Sequence, residues 1–149
     1  TGDFDRCRAD IAKALGMGDC GDKKERCLMD GVTLPNAVGD QKYLAMSVYF
    51  YALRSIHLFF EKSEGKSALQ WPRPSLDQIK EAGRAFCSTP WSKITKLASN
   101  SALAWEDFMG DETQRVADFS QRCLQSAYVD LLLDRVYGVP PSARSVMMA

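Results

Sequence analysis

Hydrophobic positions recur every three or four residues through most of the chain, a pattern typical of amphipathic helices. The first repeat predicts a helix over residues 4–15, with Asp3 as its N-cap and glycines just beyond its end. Turn-rich sequence follows over residues 16–27, and residues 31–34 are expected to form a short strand or an extended segment. The N-terminal part is therefore expected to hold one helix and little other regular structure.

The most apolar segment predicts one long helix over residues 41–62. Its first half is apolar on nearly every side, so we expect it to be buried. Ser47, Arg54 and His57 interrupt the apolar run, whereas a membrane span needs about 20 predominantly apolar residues. We therefore expect a buried or half-buried helix at this place.

Three further helices are predicted in the C-terminal half. Ser75 is expected to cap a helix over residues 76–87, and Thr89 to cap another whose first residue is Pro90. The last helix is predicted over residues 112–137, where a glycine stands at its end. These helices carry much of the hydrophobic surface of the chain.

The pattern as a whole predicts a mostly α chain with about five helices and few short strands. Residues 100–111 are the least regular, with a short helical turn over residues 103–108 as the best interpretation. An independent five-helix domain and a helical piece of a larger fold fit this pattern equally well. No internal boundary is expected within residues 1–149.

Charge and the single histidine narrow the classes of function. The 19 Lys and Arg residues balance 19 Asp and Glu residues, and no run of basic residues argues for a nucleic-acid or anionic-membrane partner. His57 stands between Ile56 and Leu58, and no partner pattern for a nucleophile or a metal accompanies it. We expect His57 to be packed in the interior or at an interface.

The cysteines indicate an oxidising compartment. There are five of them, and with one histidine far from all five, a zinc site fits poorly. Cys20 and Cys27 flank a short polar loop that a disulfide could close. The odd count leaves one thiol that is either free or paired outside the chain.

Five local patterns then occur in one order along the chain. They are Cys7 with the Cys20-to-Cys27 loop; Asp30-Gly31-Val32 with Leu34-Pro35; Ala45-Met46-Ser47-Val48-Tyr49-Phe50-Tyr51; Phe86-Cys87-Ser88-Thr89-Pro90-Trp91; and Arg122-Cys123-Leu124 followed by Tyr128, Leu131-Leu132 and Tyr137-Gly138. Together they resemble the C-terminal region of the nucleoside triphosphate diphosphohydrolases, the apyrase family. No single pattern is specific, but the ordered set spans essentially the whole chain.

The resemblance implies a cysteine pairing. Cys20 would bond Cys27, and Cys87 would bond Cys123. Cys7 would then be the odd thiol, because its counterpart in the family bonds a cysteine of an upstream segment. The alternative for Cys7 is a small buried hydrophobic residue without a covalent partner.

The resemblance also implies a fold and an activity. The complete enzyme would be a two-domain α/β nucleotidase of the ribonuclease-H or actin type, secreted or in an organelle lumen, and any membrane anchor would lie outside this chain. It would hydrolyse nucleoside tri- and diphosphates such as ATP with a divalent cation, calcium or magnesium, which residues of this chain would not bind. The family's phosphate-binding and catalytic motifs are absent from the sequence, and Asp19-Cys20-Gly21 is interpreted as a turn because Asp22 would repel phosphate.

Two positions match the nucleobase pocket of the family. Tyr51 matches an aromatic residue that stacks on one face of the base, and Arg122 stands where the family has a second aromatic. Arg122 is a departure, although a guanidinium plane can also stack on a base. The alternatives are that Tyr51 belongs to the core and that Arg122 is a solvated helix residue.

A second class of function remains open at this point. A disulfide-stabilised helical interaction subunit, derived from the apyrase scaffold and without catalysis, also fits the missing motifs and Arg122. The partners implied by the leading hypothesis are the remainder of the apyrase fold, joined through Cys7, and a nucleoside di- or triphosphate, with no nucleic acid.

Overall fold

The computed structural model describes residues 1–17, 41–100 and 112–149, together with the strand residues 26–27 and 33–34. Five α-helices lie in these ranges: α1 (Phe4–Ala14), α2 (Val48–Glu64), α3 (Leu76–Ser88), α4 (Trp91–Ala98) and α5 (Glu112–Leu131). The short strands form two pairs: β1 (Arg26–Cys27) with β2 (Thr33–Leu34), antiparallel, and β3 (Tyr43–Ala45) with β4 (Val146–Met148), parallel. The predicted mostly α class is confirmed.

Helix α5 is the centre of the packing, because each of the other four helices contacts it. Three phenylalanines from three helices meet in the core, Phe59 of α2, Phe86 of α3 and Phe119 of α5. Their ring centroids lie 5.3 Å apart for Phe59 and Phe86, and 6.1 Å from Phe119 to each of the other two. Edge-on and tilted aromatic contacts of this kind stabilise the fold by more than the burial of the rings alone.

The beginning of the long apolar helix was predicted wrongly. Residues 43–45 form strand β3, and α2 begins only at Val48. The reason lies far along the chain, since Tyr43 pairs with Val146 and Ala45 with Met148. The partner strand β4 lies in the tail, for which no structure was predicted, and a local periodicity cannot reveal a pairing across about 100 residues.

The helix caps follow the sequence with one shift. Asp3 Oδ1 accepts from the Arg6 amide at 3.0 Å, and Ser75 forms a reciprocal capping box with Gln78. Thr89 does not cap α4; its hydroxyl donates instead to the Ala85 carbonyl at 2.8 Å, within α3. Helix α4 therefore begins at Trp91, one residue later than predicted.

The last helix ends in a wider turn than a regular α-helix. After Leu131 the chain continues as a π-helical turn, Leu132–Val136, and Gly138 follows with a φ of 60°. This left-handed conformation suits glycine, which agrees with its predicted place at the C-terminal end. The predicted turn over residues 103–108 lies outside the described residues.

A disulfide joins the end of α3 to α5. Cys87 and Cys123 are bonded, with their Cα atoms 5.1 Å apart, as the resemblance implied. Cys7 is half-buried and free in the described structure. The predicted bond between Cys20 and Cys27 lies outside the described residues.

The approach of α1 to α3 depends on a glycine. A Cβ placed at Gly83 would lie 2.3 Å from Cε2 of Phe4, whose ring is buried. We expect Gly83→Ala to lower the free energy of unfolding by about 1–3 kcal/mol, because a buried ring has little room to move. Denaturant unfolding measures this, and the double variant Gly83→Ala/Phe4→Leu should recover part of the loss. Equal loss in both variants would contradict the contact with Phe4.

Candidate functional site

Tyr51 lies on the surface at the first turn of α2. Its side chain is 57% exposed, although Ala52 and Leu53, which follow it in α2, are buried. Its amide donates to the Ser47 carbonyl at 2.9 Å, and its own carbonyl accepts from the Ser55 hydroxyl at 2.7 Å. The backbone of Tyr51 is therefore fixed by the helix, while its ring remains accessible to a ligand.

Aromatic side chains lie beside the Tyr51 ring. Phe50 contacts Tyr51 edge-on at 5.4 Å between centroids, and contacts Trp71 at the same distance. Trp71 stacks on His57, with the ring planes 18° apart, and the Arg54 guanidinium lies 5.3 Å from the Trp71 centroid. No role was predicted for Trp71 from the sequence, yet its ring contacts three side chains of α2.

The turn into α2 is strained at Ser47. Its φ of 55° and ψ of −125° are rare for a residue with a side chain. The sequence did not indicate this conformation, because glycine or asparagine, and not serine, is the usual residue at positive φ. The turn places Ser47 one helical turn before Tyr51, at the same exposed end of α2.

Arg122 lies on α5 in a different environment. Its side chain is only 8% exposed, so the alternative that Arg122 is a solvated helix residue is wrong. One guanidinium nitrogen donates to the Gln125 side chain, another lies 3.8 Å from Asp118 Oδ2, and Nε is buried without a hydrogen-bond partner. Burial lowers the pKa of Arg122 from its ordinary value, and the Asp118 charge opposes this shift.

The two candidate residues thus come from helices that pack together, but only Tyr51 presents an open face. The guanidinium of Arg122 is covered and occupied by Gln125. A ligand that contacts Arg122 has to displace that side chain first.

Comparison with known proteins decides the family. The model of the GDA1/CD39 (nucleoside phosphatase) family matches residues 1–148. The chain belongs to this family. A search of curated proteins found no significant match. The family includes the apyrases, so the resemblance drawn from the ordered motifs is confirmed.

Clusters of metal-binding side chains are relevant to nucleoside phosphatase chemistry. Among the residues that the structure describes, no three His, Cys, Asp or Glu side chains are grouped so that they could hold a metal ion.

The described helices include none that is long and apolar enough to cross a membrane.

His57 is packed, as the sequence predicted, and it offers a pH test of the structure. It is 8% exposed, and burial lowers its pKa below the ordinary value, a shift that the Arg54 charge reinforces and the Glu61 charge opposes. The folded state therefore binds a proton at this site less readily than the unfolded state does. Protonation of His57 therefore leaves the free energy of unfolding unchanged above the unfolded-state pKa of about 6.5. Below that pH, the free energy of unfolding decreases as the pH drops.

We expect His57→Gln to remove this part of the pH dependence. The free energy of unfolding of the wild type should decline below about pH 6.5 more steeply than that of the variant. Denaturant unfolding at a series of pH values measures both slopes. Because His57 is the only histidine in the chain, no other imidazole contributes. Parallel slopes would show that His57 is not desolvated.

Proposed function

We propose that residues 1–149 form the C-terminal helical portion of an enzyme that hydrolyses nucleoside tri- and diphosphates. In this proposal the complete enzyme has a two-domain α/β fold of the ribonuclease-H or actin type, and this chain lines the nucleobase side of its cleft. Membership of the nucleoside phosphatase family supports the reaction class. The exposed aromatic ring of Tyr51 is the single observation that supports the role of this chain.

Tyr51 is suited to stacking on a base. Its ring is exposed, its backbone is fixed in the first turn of α2, and Phe50 meets it at an interplanar angle of 86°. A pre-positioned ring loses little conformational freedom when a ligand binds. Stacking of a base on an aromatic residue contributes about 1–3 kcal/mol and tolerates different bases.

Arg122 is assigned the opposite face of the same base. Its guanidinium donates to a neutral amide, Gln125, and its ion pair with the half-exposed Asp118, 3.8 Å away, is weakened by solvent. Release of Gln125 exposes a flat cation that can stack on a base. Arg122 therefore has to move when the nucleotide binds, whereas Tyr51 does not.

The remaining chemistry is assigned to the rest of the apyrase fold. That part supplies the phosphate-binding loops, the carboxylate base that activates water, and the ligands of a calcium or magnesium ion, which neutralises charge on the phosphate oxygens. Cys7, free in the described structure, is the proposed covalent link to an upstream segment. The bond between Cys87 and Cys123 supports a location in the secretory pathway, outside the cell or in an organelle lumen.

The experiment compares Tyr51→Ala and Tyr51→Phe in the natural full-length protein. With ATP, Tyr51→Ala should lower kcat/KM roughly 5- to 150-fold, which corresponds to the loss of about 1–3 kcal/mol of stacking. Tyr51→Phe keeps the ring and should stay within about twofold of the wild type. Phosphate release as a function of substrate concentration gives both values.

Inorganic tripolyphosphate is the matched control substrate, because it has phosphoanhydride bonds and no base. We expect Tyr51→Ala to hydrolyse tripolyphosphate as the wild type does. Normal kcat/KM for ATP in Tyr51→Ala would refute the stacking role. An equal loss with both substrates would show that Tyr51 acts on the phosphates or on the fold.

The covered guanidinium of Arg122 favours a second candidate, a non-catalytic interaction subunit built on the apyrase scaffold. The two candidates differ in one measurement. A subunit without catalysis would show no metal-dependent phosphate release from the natural full-length protein, even where it binds other proteins.

A further inference from the structure

A cleft of about 710 Å³ opens on the outer face of the β3–β4 pair. Leu44 and Met147 stand side by side on this face, because they are partners in the parallel register. They are 60% and 38% exposed, although both are apolar. Lys42, Arg73 and Arg144 surround this apolar floor.

These three cations have no acidic partner in the part of the chain that the structure describes, and no described carboxylate lines the cleft. Several other described cations behave differently. They pair as Arg8 with Asp130 and Asp134, Arg84 with Asp5, Lys93 with Glu64, and Arg6 with Asp10. In a chain with no net charge, three unpaired cations around one cleft produce a local positive potential.

The cations are carried on backbone segments that are tied to one another. Arg73 follows a turn in which its amide donates to the Gln70 carbonyl at 2.9 Å, and Pro72 of that turn accepts from the Met148 amide at 3.0 Å. The Arg73 guanidinium also lies 3.8 Å from the Met147 sulfur.

The strand pair fixes the backbone beside the other two cations. Lys42 and Arg144 directly precede the bonded residues Tyr43 and Ser145, where the Tyr43 amide donates to the Ser145 carbonyl at 2.8 Å. The backbone that carries the three charges is thus fixed by main-chain hydrogen bonds, and the side chains reach the cleft from these fixed positions.

We propose that this cleft binds a phosphomonoester attached to an apolar or aromatic body. Two arginines and a lysine complement the charge of a phosphate dianion, which arginine can bind through two parallel hydrogen bonds. The apolar body covers Leu44 and Met147 and removes their exposed surface from water. A neutral molecule would leave the cations without partners, and a bare phosphate would leave the floor exposed.

The site is separate from the proposed nucleobase position. Tyr51 and Arg122 do not line the cleft. The proposal therefore does not depend on the proposed function, and either can fail while the other holds.

Residue-resolved chemical labelling tests the site in the natural full-length protein, with phenylphosphonate as the ligand. An amine-acylating reagent labels Lys42 and phenylglyoxal labels Arg73 and Arg144, and mass spectrometry of peptides measures each rate. Saturating phenylphosphonate should slow labelling at these positions about fivefold, because the charged contacts shield them. Lys96 and Arg6, which are exposed and outside the cleft, serve as controls and should label at unchanged rates.

Variants of the cleft residues provide a second test of the site. Arg144→Gln or Arg73→Gln should raise the phenylphosphonate concentration needed to protect Lys42 about tenfold, because each removes a hydrogen bond to a charged group. Tyr51→Ala should leave that concentration unchanged. Unprotected Lys42, or equal slowing at Lys96, would overturn the proposal. Equally effective protection by inorganic phosphate would overturn the part that concerns the apolar body.

The same chemistry can come from a soluble molecule or from a lipid headgroup. Vesicles that contain phosphatidic acid carry a phosphomonoester at their surface and form a separate arm of the experiment. Protection by both phenylphosphonate and these vesicles, but not by phosphatidylcholine vesicles, supports a lipid source. Protection by phenylphosphonate alone supports a soluble ligand.

Discussion

Arg8→Met is expected to lower the free energy of unfolding by about 3–5 kcal/mol, because it leaves a buried carboxylate without its partner. Asp130 is fully buried, and its Oδ2 accepts from Arg8 Nε at 2.7 Å. A second guanidinium nitrogen of Arg8 pairs with Asp134, so one side chain of α1 serves two carboxylates. Burial raises the pKa of Asp130, and the hydrogen bond from Arg8 works against that rise.

Arg6→Met is the matched control for this variant. Arg6 lies on the same helix, its side chain is 81% exposed, and its closest carboxylate is Asp10 at 3.8 Å. Exposed pairs contribute about 0–1 kcal/mol, so the control should stay near the wild type. Denaturant unfolding compares the two variants. A double variant, Arg8→Met/Asp130→Asn, should recover part of the loss, and equal effects of Arg8→Met and Arg6→Met would refute the buried charge pair.

Removal of the disulfide is the second large expected effect. Cys87 and Cys123 are 36 positions apart, and a bond that closes such a loop stabilises by about 3–4 kcal/mol on the chain-entropy model. We therefore expect the double variant Cys87→Ala/Cys123→Ala to unfold at a lower denaturant concentration by this amount of free energy. The unfolding slope should also rise, because the unfolded chain is less restricted.

Reduction is the internal control for this result. When both proteins are measured in a thiol reductant, the wild type loses the same bond, so its difference from the double variant should nearly vanish. A difference that persists under reduction would assign the effect to packing of the sulfur atoms. Cys7, which packs in the same cluster as this pair, is unchanged in the variant.

The sequence predicted the helices well, because their caps and periodicity are local. Asp3, Ser75 and Gly138 each stand where the structure has a helix boundary. The Cys87–Cys123 pairing came from the family resemblance, since five cysteines alone allow many pairings.

The features that the sequence missed depend on contacts between distant positions. Strand β3 looked helical because its partner β4 lies about 100 residues later. The basic cleft could not be seen because Lys42, Arg73 and Arg144 are scattered along a chain with no net charge. Tyr51 was matched to a base-stacking position by family likeness, and only the structure shows that its ring is exposed.

The proposed nucleotidase activity is tested most directly by phosphate release from ATP and ADP by the natural full-length protein, with calcium or magnesium and with a chelator. The proposal predicts release from both nucleotides that the chelator abolishes and the cation restores. Absence of release from either nucleotide, under conditions where the protein is folded and its Cys87–Cys123 bond intact, would contradict it.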